Sequence, residues 1–280
     1  MAEGKPRRIG LIAGGGRLPH LFASAAREKG LFVVAVAHCG ETDRSLEGEV
    51  DAITWVRLGQ LARMARVLRQ ADIDRAVMIG GIRRARAFRD ARPDLAALRL
   101  AFGLRSLRDD ALLRAVAGYF EERGIAIVPQ TELFSDLLAR PGHLAGPALS
   151  ASQQKDMALG LEVAQALGRA DIGQTVVVKD GRVLAVEAAE GTDEAIRRGA
   201  GIGGAGVVVV KLCKPGQDER FDLPAVGRTT LEVMSQCGAC VLAIEAGKTL
   251  LIDAADTLAQ AERNSISVLG VSTVTHPPTS

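Results

Sequence analysis

Apolar residues in the first half of the chain come in short unbroken runs, and between the runs they recur with helical spacing. Arg8–Ala13 and Leu31–Ala37 are runs of strand length. Between them Leu18, Leu21, Phe22 and Ala25 fall at i, i+3, i+4 and i+7, an amphipathic helix closed by Gly30. The alternation continues with a strand at Ile53–Val56, a helix marked by Leu61, Met64, Ala65 and Leu68, and a strand at Ala76–Ile79. A helix over Asp109–Glu122 and a strand at Ile125–Val128 complete it. Strands that alternate with helices predict a mostly parallel sheet with helices on both faces, a Rossmann-like doubly wound domain.

The pattern then changes. Pro141–Gln154 (PGHLAGPALSASQQ) is rich in Pro, Gly, Ala and Ser and reads as a linker. The expected division is a domain over residues 1–140, a linker over 141–154 and a second domain over 155–280. In that second domain a helix over Gln154–Leu167 leads to apolar runs on either side of Asp180-Gly181, a hairpin signature. Gly206–Lys211 reads as a strand, Val241–Ile244 and Thr249–Ile252 as a second hairpin, and a final helix precedes a strand at Ser267–Gly270. The expected fold class is α/β: an N-terminal Rossmann-like doubly wound parallel-sheet domain plus a C-terminal mixed α+β domain.

Composition narrows the function. Aromatic residues are 3% of the chain and the net charge is +2, which argues against a nucleic acid polymer as partner. The charge is nonetheless uneven, with nine arginines and four aspartates between Arg83 and Arg114. Cys237 and Cys240 have the spacing of half a zinc site, but no second pair of soft ligands accompanies them, and structural thiols are expected. Nothing near the N-terminus resembles a signal peptide, so a cytoplasmic protein is expected, with a membrane surface still within reach.

Several stretches carry candidate chemistry. Gly14-Gly15-Gly16 ends the first strand and opens a helix, where backbone N–H groups and the helix dipole favour an anion. A dinucleotide fingerprint would need a third glycine where Pro19 stands, so an NAD(P)-dependent oxidoreductase is a poor match. Gly80-Gly81, followed by Arg83 and Arg84, ends another parallel strand at the same predicted edge. Glu187, Glu190 and Asp193, around Gly191 and Thr192, place three carboxylates at a strand-to-helix turn: ligands for a hard cation, or helix caps. Asp222 stands two residues before Pro224, with Lys211 and Lys214 upstream: a base or metal ligand, or a turn-forming residue. A non-catalytic nucleotide-sugar or lipid-binding module would share the glycine turns and have no need of Asp222.

Six stretches in order resemble one family. They are GLIAGGGRLP at Gly10–Pro19, DDALL at Asp109–Leu113, DIGQ at Asp171–Gln174, VLAVEAAEGTD at Val183–Asp193, Lys214-Pro215, and FDLPAVG at Phe221–Gly227. The chain resembles the LpxI-type UDP-2,3-diacylglucosamine pyrophosphatases of bacterial lipid A synthesis, from Arg8 to about Val271. The resemblance implies a Mg2+-dependent hydrolase that splits a small glycolipid-nucleotide, UDP-2,3-diacylglucosamine, into UMP and 2,3-diacylglucosamine 1-phosphate (lipid X).

The resemblance also implies site residues. By that resemblance Asp222 would be catalytic; the carboxylates themselves suggest that Asp193 or Glu190 joins it in positioning the metal, with Asp222 and Asp193 as the expected ligands. The resemblance places the substrate against the glycine turns, Leu18, Pro19, Gly80, Gly191 and Thr192; with the residues read above, the full expected set is Gly14, Gly15, Gly16, Leu18, Pro19, Gly80, Gly81, Gln174, Gly191, Thr192, Lys211 and Lys214. A homodimer is a further implication. Relatives often carry Asn or Lys after the glycine near residue 80, where this chain has Gly81. Two acyl chains require an apolar surface. Leu95, Leu98, Leu100, Phe102 and Leu104, in the arginine-rich stretch, could line a cleft, contact the inner membrane peripherally, or form a core-facing helix with a solvated arginine face.

Overall fold

A computed structural model describes residues 7–82, 92–103, 109–214, 218–221 and 223–273. The chain divides into two units, one of Met1–Phe134 with Asp218–Asp222 and one of Ser135–Gln217 with Leu223–Ser280.

The first unit runs β1 (Arg8–Ala13), α1 (Leu18–Glu28), β2 (Phe32–His38), β3 (Ala52–Val56), α2 (Leu61–Gln70) and β4 (Arg75–Ile79). Then follow α3 (Leu95–Gly103), α4 (Asp109–Glu121), β5 (Ala126–Ile127) and α5 (Thr131–Phe134). Its strands form one sheet in the order β3-β2-β1-β4-β5, all parallel, as the alternation predicts. Strands β1 and β2 are apolar and buried almost throughout because each face carries a helical layer. On one face Ile12, Val34, Val36 and Ala76 pack with Met64, Leu68, Ala117 and Phe120 of α2 and α4. Phe22 of α1 meets Phe134 of α5 edge-on, with ring centroids 6.1 Å apart.

The order reverses between β1 and β4, and in doubly wound sheets that switch point, at the carboxyl edge, is where ligands bind. Both glycine turns stand there. A Cβ on Gly14 would lie 2.5 Å from the Gly80 carbonyl oxygen, and one on Gly80 would lie 2.6 Å from that of Gly15. Gly80 also has φ +95°, whereas a Cβ on Gly81 would meet nothing within 4 Å. Gly80→Ala is therefore expected to cost about 2 kcal/mol or more, and Gly81→Ala almost nothing. Paired thermal melts check this; equal melting temperatures would show that the turns do not need the close approach.

The second unit runs β6 (Gly142–Ala145), α6 (Ala151–Arg169), β7 (Thr175–Lys179), β8 (Arg182–Val186), α7 (Thr192–Gly203) and β9 (Val208–Lys211). It continues with β10 (Ala225–Val226), α8 (Arg228–Cys237), β11 (Val241–Glu245), β12 (Leu250–Leu251), α9 (Ala254–Arg263) and β13 (Ser267–Val271). A six-stranded mixed sheet has the order β6-β13-β11-β9-β7-β8. The β7–β8 hairpin forms as expected. Asp180 and Gly181 both have positive φ, and the buried Asp156 of α6 accepts from their two N–H groups at 3.0 and 2.7 Å.

Three expectations need correction. Residues 141–154 are not a free linker: β6 pairs antiparallel with β13, and Ser150 caps α6 in a reciprocal capping box with Gln153. The small residues there serve an edge strand and a helix start. Nor do Val241–Ile244 and Thr249–Ile252 pair as a hairpin. β11 is buried at every position and lies between β9 and β13, parallel to both, while β12 pairs parallel with β10. A run buried on both sides needs a neighbour on each edge, and two distant strands supply them. Finally, residues 218–221 return to the first unit although their sequence neighbours belong to the second.

Among the described residues no helix is long and apolar enough to cross a membrane. The four cysteines are free thiols.

Candidate active site

At the switch point the two glycine turns bond to each other. Gly14 N–H donates to Ile79 O at 2.7 Å, Gly15 N–H to Gly81 O at 2.8 Å, and Gly81 N–H to Gly15 O at 3.1 Å. Most of the amides that the triple glycine offers an anion are thus engaged by the neighbouring turn. The first turn of α1 is less occupied. Its N-cap residue, Arg17, makes no side-chain capping bond, and Pro19, second in the helix, has no N–H. The amides of Gly16 and Leu18 make no hydrogen bond among the described residues. An anion at this edge is best served by the α1 N-terminus itself.

Sequence reasoning passed over His38, which secures this edge. Its Nδ1 donates to the Ala13 carbonyl at 2.8 Å, and the Thr42 hydroxyl donates to the same oxygen at 2.7 Å. Burial pushes the His38 imidazole below its ordinary pKa and outweighs the hydrogen bond that opposes the shift. A neutral His38 therefore fixes the backbone just before Gly14. Nothing in the local pattern marks it, because the bond spans 25 residues.

The returning segment is held by side chains from within the first unit. Gln130 is buried, and its Nε2 donates to Met78 O at 2.8 Å and Phe221 O at 3.2 Å. Arg220 grips Asp218 through two bonds of 2.9 and 2.8 Å and reaches Glu121 at 2.8 Å. Phe221 packs against the apolar cluster of α2 and α4. The Arg220 guanidinium holds the Asp218 carboxyl below the usual carboxylate range, with help from Arg114. A depressed folded pKa stabilises above the unfolded value, and the contribution is lost as pH falls through the folded one. Asp218→Asn is expected to flatten the fall in melting temperature between about pH 5 and pH 2. Identical slopes for the two proteins would exclude the Arg220–Asp218 pair from acid stability.

In the second unit, strand alternation builds a polar cluster. On β7 Thr175 shares the face of Val177, and on β9 Lys211 shares the face of Val209; these valines pack toward α7 and α8. Thr175 and Lys211 are register partners. Both meet Thr192, the first residue of α7: Lys211 Nζ donates to Thr192 Oγ1 at 3.1 Å, and the two threonine hydroxyls are 3.3 Å apart. Lys211 Nζ also donates to Ala225 O at 3.2 Å. Thr192 Oγ1 lies 3.3 Å from both oxygens of Glu187. Lys211 and Glu187 are only 6% and 8% exposed. Because Thr192 accepts from Lys211, its single hydroxyl proton is directed to Glu187. An ammonium, a partly buried hydroxyl and a carboxylate therefore form one chain at the N-terminus of a helix.

The other predicted residues divide around this chain. Gly191 is the N-cap of α7, with φ 87°. Asp193 is half-buried in the first turn and makes no side-chain hydrogen bond or ion pair among the described residues. Glu190 is engaged elsewhere: it accepts from Ala188 N–H at 3.0 Å and from Arg198 at 2.5 Å. Its carboxyl is lowered in pKa first by its own backbone N–H, then by Arg198. Gln174 precedes Thr175, and its Oε1 is buried without a hydrogen-bond partner. Gly173 beside it allows close packing, since a Cβ would lie 1.9 Å from Glu187 O. Lys214 reaches out to Asp171 at 3.1 Å. Asp222 and Pro215 lie outside the described residues, as do Arg83 and Arg84. Among the described residues no group of three or more His, Cys, Asp or Glu side chains could hold a metal.

Fold and site together define an α/β protein of two units, each with a helix N-terminus beside candidate ligand-binding residues. Family comparison is specific. The LpxI N-terminal domain matches residues 8–137 and the LpxI C-terminal domain matches residues 140–269. A curated relative from Caulobacter vibrioides, UDP-2,3-diacylglucosamine pyrophosphatase LpxI, is 34% identical over 284 residues, covering 95% of this chain and 98% of its own. The chain belongs to the LpxI family, as its six motifs indicate.

Solved structures are more distant. Glycinamide-RNase-transformylase T from Mycobacterium tuberculosis is 18% identical over 65% of this chain and 44% of its own, with a TM-score of 0.25. The biotin carboxylase subunit of pyruvate carboxylase is 15% identical over 66% and 36%, with a TM-score of 0.24. The chain spans less than half the length of either, and such likenesses carry no argument.

Proposed function

We propose that this chain is a Mg2+-dependent hydrolase that splits the diphosphate of UDP-2,3-diacylglucosamine into UMP and 2,3-diacylglucosamine 1-phosphate in lipid A biosynthesis. The observation that carries the proposal is the Lys211–Thr192 pair at the α7 N-terminus in a chain 34% identical to the Caulobacter enzyme over nearly its whole length. A lysine, a hydroxyl and helix amides suit phosphate oxygens, and phosphoryl transfer to water depends chiefly on positioning and charge neutralisation.

In the reaction, the oxygen of water bonds to one phosphorus and the bridging P–O bond breaks, leaving its electrons on the other phosphate. A proton of the water passes to a base. Lys211 stabilises negative charge on the phosphate oxygens, and Thr192 holds the amine in place. Glu187, through Thr192, balances the buried ammonium. Asp222 orients the attacking water. Gln174, Gly191 and Lys214 lie along the chain on either side of this cluster; within the first unit, the α1 N-terminus beside the Gly14–Gly16 and Gly80–Gly81 turns suits a phosphate group.

Magnesium binds through one or two carboxylates and keeps several waters, so it does not need a cluster of three protein ligands. Asp193 retains its oxygens, whereas Glu190 is tied to Arg198, so Asp193 and Asp222 would be the ligands. The ion, when bound, neutralises charge on the diphosphate. Purified protein incubated with UDP-2,3-diacylglucosamine is expected to release UMP with magnesium and not with EDTA. Absence of UMP under every metal condition would overturn the proposal.

A further inference from the structure

Helix α3 is apolar on both sides. Ala96, Ala97 and Leu100 pack inward against the cluster shared with α2 and α4. Leu95, Leu98 and Phe102 fall at i, i+3 and i+7, on the opposite side, and are 72%, 39% and 89% exposed. A fully exposed phenylalanine beside two exposed leucines on one helical face is not the ordinary scatter of single surface apolars.

The exposed charges described on and beside this face are mostly basic. Arg99 is exposed on the same side of α3, between Leu98 and Phe102, and Arg92 is exposed just before the helix. Asp94, just before the helix, is engaged: one oxygen accepts from Ala97 N–H at 3.0 Å and the other from Ala62 N–H at 2.8 Å. Helix α2, which packs beside α3, exposes Arg63, Arg66 and Arg69 and contains no acidic residue. Arg66 and Arg69 line a groove of about 380 Å³ with Tyr119 and Arg123, whose guanidinium stacks on the Tyr119 ring at 3.6 Å. In sequence, residues 83–108 contain eight arginines against two aspartates.

We infer that the outer face of α3 docks on an anionic lipid bilayer. Leu95, Leu98 and Phe102 enter the boundary between headgroups and acyl chains, and Arg92, Arg99 and the α2 arginines meet lipid phosphates. Charge complementarity chooses this occupant over a second copy of the chain. A symmetric dimer through the same face would bring like arginines together, and Asp94, the described carboxylate beside it, is already bonded to two backbone N–H groups. The inference does not depend on the hydrolase reading, because docking requires no substrate.

Flotation with vesicles tests it, using the purified full chain without substrate. Vesicles of phosphatidylethanolamine with phosphatidylglycerol are compared with pure phosphatidylcholine. The anionic vesicles are expected to bind at least about tenfold more tightly. Arg99→Glu changes two charge units and is expected to weaken that binding by about thirty-fold, since each unit near the surface is worth roughly five-fold. The double variant Leu95→Ser, Phe102→Ser is expected to weaken it by more than about tenfold with an unchanged melting temperature, since both side chains are already in water. Equal binding to the two vesicle types, or variants that bind as the parent does, would overturn the inference. So would light scattering that shows the double variant splitting an oligomer, which would mean that another copy covers the face.

Discussion

Replacing Asp222 by Asn is expected to lower UMP release by on the order of a thousandfold while the protein stays folded. The substitution keeps size and hydrogen-bonding capacity and removes the negative charge. The residues on either side are independently secured: Phe221 packs in the first unit's cluster, and Leu223 is buried in the second unit. Asp222 thus stands in sequence between two anchored neighbours that belong to different units. Single-turnover assays with saturating magnesium, with thermal melts alongside, make the measurement. A rate within tenfold of the parent's would remove Asp222 from the chemistry and leave the buried lysine cluster to account for it.

The second large effect is expected at Lys211 and Thr192. Lys211→Met should lower turnover by about a hundredfold, because it removes the buried ammonium that donates to Thr192 at the α7 N-terminus. It should also reduce stability by about 1–3 kcal/mol, since Glu187 would then stay buried, and Thr192 partly buried, without the cation. Thr192→Val breaks the chain at its middle and should lower both activity and stability. Thr192→Ser retains the hydroxyl and should restore most of each. That rescue separates a positioned lysine from mere packing: if Ser fails where Thr works, the methyl group rather than the hydroxyl is what matters. A Lys211→Met variant with unimpaired turnover would show that the chain only stabilises the unit.

Much of the architecture is written locally. The strand–helix alternation from Arg8 to Val128 predicts a parallel sheet because strands buried on both faces must be apolar throughout, and the sheet forms in that way. Asp180-Gly181 predicts its hairpin because positive φ at both turn positions is a property of those two residues. The apolar runs at Val241 and Thr249 mislead for a related reason. Local pattern tells that a strand is buried, not which strands flank it, and here β9, β13 and β10 provide the partners. Composition marked residues 141–154 as a linker, but small residues also suit an edge strand and a capped helix start.

The glycine turn at Gly14–Gly16 shows where reading along the chain stops. Sequence alone determines that a strand ends in glycines and opens a helix, which is a feature of neighbours and backbone freedom. Only the tertiary structure decides that Gly14 donates to the end of β4 and Gly15 to the turn after it, which leaves the α1 N-terminus as the better anion site. It alone decides that His38 braces that edge, that Gln130 holds the returning segment, and that Lys211, Thr192 and Glu187 meet. The physical reason is common to all of them. Helical period and turn torsions depend on residues a few positions apart, whereas a buried polar group takes whichever partner the fold brings within about 3 Å.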